Sequence, residues 1–119
     1  MSPSLVCCRR SMIQKNLIIK TESIMYAVIR RYRFKSEDSE KINQLIQEGF
    51  VPLLKAANGF ISYNWLDTGS GEGASLSVFQ DKAGADESIH IAAAFVKTNM
   101  SDLLRQKPEV IEGPIKAYG

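Results

Sequence analysis

Two successive stretches of this chain carry the same order of hydrophobic patterns: an alternating segment, a helical stripe and a second alternating segment. The first runs from Met25 to Leu66 and the second from Ala74 to Tyr118. Met25–Phe34 places Tyr26, Val28, Arg30, Tyr32 and Phe34 on one side and Ala27, Ile29, Arg31 and Arg33 on the other. That alternation, in a segment rich in β-formers, is a strand. Ser36 then stands where a helix cap is expected, and Glu37, Asp38 and Glu40 suit the positive end of the helix. Ile42, Leu45, Ile46, Phe50, Leu53, Leu54 and Ala57 recur at helical spacing and form one apolar stripe, which Asn58-Gly59 ends. Gly49 and Pro52 interrupt it, and Pro52 removes a backbone donor, so a bend is expected there.

Phe60–Asp67 is a second strand, with Ile61, Tyr63 and Trp65 on one face and Phe60, Ser62, Asn64 and Leu66 on the other. The glycine-rich loop 68–73 leads into another strand rather than a helix, which argues against a phosphate cradle. Ala74–Gln80 follows, its Leu76 and Val78 separated by serines. Asp81 can cap a second helix whose stripe is Ala85, Ile89, Ala92, Ala93, Val96 and Met100, continued by Leu103 and Leu104. Pro108 ends that region, and Val110–Tyr118 supplies the last strand. Pro114 within it suits an edge position.

The order β-α-β-β-α-β predicts an α+β, ferredoxin-like fold: a four-stranded antiparallel sheet with both helices on one face. The uncovered face still carries apolar side chains, and a bare face of that kind marks an interface. The expected assembly is a homodimer in which two sheets pack face to face, a dimeric α/β barrel.

Charge changes the picture of partners. The formal charge is +2, but residues 1–24 hold four basic groups and one acid, whereas residues 25–119 hold 11 basic and 12 acidic groups, a net of −1. A domain without a basic surplus is not expected to bind nucleic acid. Both cysteines, Cys7 and Cys8, are adjacent and lie outside the repeated pattern, so neither a disulfide framework nor a thiolate metal site is expected. No apolar run approaches the roughly 20 residues that span a bilayer, and the expectation is a cytoplasmic protein without a membrane partner. Residues 1–24 read as a disordered or misassigned-start leader, patternless except for Leu17-Ile18-Ile19, with Met12 or Met25 as alternative starts.

Tyr26-Ala27-Val28-Ile29-Arg30-Arg31-Tyr32, Gly49-Phe50-Val51-Pro52, Gly59-Phe60 and Ser75-Leu76-Ser77-Val78-Phe79-Gln80-Asp81 together resemble the small antibiotic-biosynthesis-monooxygenase (ABM)-type domains of the dimeric α/β-barrel superfamily. The resemblance covers Met25 to Tyr118. It implies the fold above and a small aromatic substrate held between sheet and helices. The chemistry it implies is monooxygenation with no cofactor, neither metal nor flavin. Its haem-degrading members need an Asn on the first strand and a Trp and a His on the second helix. Here the first strand has Arg30-Arg31, the second helix has no Trp and His90 falls near that helix's start, so haem degradation is disfavoured.

The candidate site residues follow from polar groups on otherwise apolar elements. Arg30 shares a face with Val28 and Tyr32; buried there, it must either pair with Glu48 or Glu112 or hold an anionic or phenolate ligand. Tyr32 and Trp65 join Arg30 as candidate substrate-binding residues, with core or dimer interface as the alternative for Trp65. Asn64 and His90 are the candidate catalytic residues, Asn64 to orient a substrate hydroxyl and His90 as a general base. Asn64 and Trp65 are neighbours on one strand and cannot both line one pocket without a bulge. A lone His offers no metal ligand set, and the serines have no Asp/His companions for a hydrolytic triad. The second reading is a non-catalytic dimeric domain that binds a small ligand or a protein partner.

Overall fold

The computed structural model describes residues 24–119; the leader reading falls, Ile24 apart, outside the described residues. Strand β1 (Tyr26–Arg33) is followed by a first helical region, then β2 (Phe60–Asp67), β3 (Glu72–Phe79), the long helix α3 (Lys82–Asn99) and β4 (Glu109–Pro114). The strands form one antiparallel sheet in the order β2-β3-β1-β4. This is the ferredoxin-like arrangement expected from the sequence, with β4 and its Pro114 at an edge.

The first helical region has three parts. Ser36–Asp38 is a 3-10 turn rather than a capped helix start, because Ser36 lies inside it and Lys35 takes the cap position without a side-chain bond. Helix α1 (Ser39–Leu45) and helix α2 (Val51–Lys55) are joined by a π-helical turn over Ile46–Phe50, in which the Val51 N–H reaches back to the Ile46 carbonyl. Pro52 explains the wide turn. It has no N–H to donate to the Glu48 carbonyl, and in a regular helix its ring would press on that oxygen. Gly49 sits in the same turn, and a Cβ there would stand 3.0 Å from the Phe95 ring of α3. Asp81 caps α3 as expected, accepting from the Gly84 N–H at 2.9 Å.

The core lies between the sheet and the helices. Val28, Tyr32 and Phe34 of the β1 segment and Phe79 of β3 meet Ile42, Ile46, Phe50 and Leu54 of the first helical region and Ala85, Ala92 and Phe95 of α3. Two faces differ from the sequence reading. In β2 a bulge between Phe60 and Ser62 swaps the first two residues. Phe60 therefore turns inward, 6.1 Å from Phe79 between ring centroids, and Ile61 is exposed. In α3 the buried line is Ala85, Ser88, Ala92 and Phe95, so Phe95 belongs to the core and Ala93 does not.

Strand β3 is inverted relative to a common amphipathic strand. Its serines, Ser75 and Ser77, are buried beneath the helices, while Leu76 is exposed on the opposite face. There Leu76 is in register with Ile29, and Ile29 with Ile111, a row of exposed aliphatic side chains across the open face. Below it, Arg31 pairs with Glu72 at 2.6 Å and with Glu109 at 3.5 Å, and Arg33 reaches Glu72 at 3.7 Å.

Candidate functional site

The inner face of the sheet carries a polar row at its centre. Strand register aligns Val110 of β4, Arg30 of β1, Ser75 of β3 and Trp65 of β2. Arg30 is 6% exposed, and its Nε donates to the Tyr32 hydroxyl at 2.9 Å. Its guanidinium carbon also stands 5.7 Å from the centre of the Tyr32 ring. Neither Glu48 nor Glu112 pairs with it, so among the described residues this buried cation has no carboxylate partner. A buried charge without a counter-charge is costly unless something polar fills the space beside it.

Two more polar groups lie in the same layer. The Tyr63 hydroxyl and the Ser75 hydroxyl are buried and have no hydrogen-bond partner among the described residues. Burial, then the nearby Tyr32, pushes the Tyr63 phenol well above its ordinary range, so Tyr63 is a neutral hydrogen-bond donor and not a base. Ser75 lies near enough to temper that shift, yet the two hydroxyls do not meet hydrogen-bond geometry.

Trp65 occupies the β2 end of the row. Its indole packs edge-on to Tyr32 with centroids 5.2 Å apart and lies over Gly73, where an added Cβ would come within 2.4 Å of the ring. Its Nε1–H donates to Asn43 Oδ1 at 2.8 Å, and Asn43 Nδ2 donates to Asp67 Oδ2 at 3.1 Å. The Gly69 N–H and then Asn43 hold the Asp67 carboxyl below the usual carboxylate range.

The two ends of the row border two different cavities. One, about 680 Å³, lies beneath α3 and is walled by Ile89, Ala93, Val96, Leu104, Pro108 and Val110, with Arg30 at its inner wall. Ile89 and Val96, expected in the core stripe, pack against the core and also wall this cavity, whereas Ala93 is exposed at the wall and does not join the core. The other cavity, about 480 Å³, lies beside α1 and is bordered by Asn43, Ile46, Gln47, Val51, Tyr63, Asn64 and Trp65. Neither wall contains a carboxylate or a histidine.

The candidate residues therefore separate. Arg30, Tyr32 and Trp65 come together in one contact chain. Asn64 does not join it: it is exposed and in register with Leu76 of the open face, yet, against the expectation from strand alternation, it borders the cavity beside α1 together with Trp65, because β2 is an edge strand. His90 is exposed on α3 and lines neither cavity. Asn43, Tyr63 and Ser75 were not anticipated. The signal for Asn43 was an Asn inside a helix, where its side chain competes with the backbone unless it has another partner. Among the described residues no group of three His, Cys, Asp or Glu is placed to hold a metal. Among them also, no helix is long and apolar enough to cross a membrane.

No protein-family model and no curated protein matches the chain. Solved structures do. A protein of unknown function from Nitrosomonas europaea aligns with a TM-score of 0.70 at 22% identity, covering 82% of this chain and 95% of that one. A putative antibiotic biosynthesis monooxygenase from the same organism aligns at 0.67 and 11% identity, covering 82% and 96%. A monooxygenase from Streptomyces coelicolor, solved with the ligand nanaomycin D, aligns at 0.64 and 13% identity, covering 83% and 93%. The chain thus has the fold of the ABM-type domains, as its residues suggested, and that fold houses both monooxygenases and proteins of unknown function.

Proposed function

We propose that this protein is a homodimer that takes a small aromatic compound into the cavity beneath α3 and oxidises it with dioxygen without a cofactor. The observation that carries the binding step is Arg30, a buried guanidinium without a carboxylate partner among the described residues, on the wall of a largely apolar cavity that contains no acidic residue. A phenol or similar acidic group placed there is held in its ionised form, because the guanidinium stabilises the anion. An electron-rich ring anchored through that group is the natural electron donor to dioxygen when no metal or flavin supplies electrons. The exposed row of Ile29, Leu76 and Ile111, with Leu66 beside it, supports the face-to-face dimer.

The second reading, binding without catalysis, is favoured by one observation: neither cavity contains a carboxylate or a histidine, and Asn64 and His90 stand away from Arg30. Oxygen uptake with a set of bicyclic and tricyclic phenols separates the two. Uptake above the uncatalysed rate that is lost in Arg30→Met supports the oxygenase. Binding without uptake supports the second reading. Absence of both binding and uptake contradicts each.

A further inference from the structure

The charge of the α3 cavity is one-sided. Besides Arg30 on the inner wall, its border carries Lys97 of α3 and Lys107 of the segment before β4, and no acidic residue. Chance does not favour this, since residues 25–119 hold 12 acidic groups against 11 basic ones. The remaining polar border, Ser101 and Gln106, is neutral. Among the described residues Arg30 has one side-chain hydrogen bond, from its Nε, and the paired terminal nitrogens of the guanidinium suit a planar two-oxygen acceptor.

Resting on the reading that this cavity takes a small aromatic molecule, we infer that its ligand is an organic acid: an aromatic body against Ile89, Val96 and Val110 with a carboxylate seated on Arg30. Lys97 and Lys107, both exposed, draw the anion to the mouth. The inner site selects by geometry and desolvation, the outer one by long-range attraction, so the two differ in salt dependence.

The test compares 2-naphthoate with 2-naphthamide, which share one aromatic body and differ in charge. Titration calorimetry gives the affinities, and methyl resonances of Ile89, Val96 and Val110 give the location. The acid is expected to bind at least about tenfold more tightly than the amide, the magnitude of one charge-assisted bidentate contact. Arg30→Met removes that preference, and Arg30→Lys retains part of it if the methionine variant fails to fold. Lys97→Gln with Lys107→Gln weakens the acid about two- to fivefold at low salt and leaves the amide unchanged. Equal binding of both compounds at those methyls overturns the acid inference and leaves the cavity reading standing. Binding of neither, or shifts confined to methyls elsewhere, overturns both.

Discussion

Arg30 donates its Nε–H to the hydroxyl of Tyr32, two residues along the same strand and on the same face, at 2.9 Å. The contact fixes the guanidinium plane without neutralising it, which is what a recognition group needs and a structural ion pair does not provide. Tyr32→Phe keeps the ring against Trp65 and removes only the acceptor. It is expected to cost about 1–3 kcal/mol, the penalty of leaving a buried charged donor unpaired, read as a lowered midpoint in urea unfolding. An unchanged midpoint means that the hydroxyl does not hold Arg30.

Gly73 is fixed by Trp65. With the indole 2.4 Å from where a Cβ would stand, Gly73→Ala forces either the ring or the strand to move. The expected loss is about 1–3 kcal/mol of stability, as for other overpacked sites. Trp65 is the only tryptophan, so its emission reports the displacement directly, as a red shift in the folded variant. A variant with wild-type stability and emission contradicts the packing described.

Asn43 links Trp65 to Asp67, and this linkage has a pH signature. The Asp67 carboxyl is held below its ordinary range by the Gly69 N–H and then by Asn43. A carboxyl with a lowered folded-state pKa stabilises the fold above its unfolded value and loses that contribution as pH falls through the lower, folded value. Trp65 emission is therefore expected to change on acidification below about pH 4 while the sheet is still folded by circular dichroism. Asn43→Ala, which breaks the relay, flattens that change and costs about 1–2 kcal/mol by orphaning the indole N–H. Identical acid profiles for the two proteins contradict the relay.

Leu76 points away from the helices, in register with Ile29, and is expected to lie at the centre of the dimer. Leu76→Lys adds a charge to that face without touching the inner row. It is expected to give a folded monomer at micromolar concentration by sedimentation velocity, where a dimer is expected of the parent. A dimeric Leu76→Lys variant places the interface elsewhere.

The faces of β1 were legible because its alternation runs unbroken from Tyr26 to Phe34. At the start of β2 they were not, because a bulge between Phe60 and Ser62 adds one residue that periodicity cannot register and moves Phe60 to the inner face, while Tyr63 and Trp65 keep the face that alternation gave them. Ser75 and Ser77 looked like spacers between Leu76 and Val78. They are in fact the inner residues, since the sheet buries its polar row and exposes Leu76. Arg30, Tyr32 and Trp65 were found from the sequence because each is a conspicuous polar or aromatic group on an inward-facing strand position. Tyr63 was passed over as one more apolar position. Asn64 and His90 were chosen by residue type, although alternation already placed Asn64 on the face opposite Tyr63 and Trp65; both are exposed.

A crystal structure with bound 2-naphthoate shows whether a ligand sits beneath α3 against Arg30. The aromatic body is expected between Ile89, Val96 and Val110, with both carboxylate oxygens on the Arg30 guanidinium. A naphthoate bound in the cavity beside α1, or between the two sheets of a dimer, would contradict that placement.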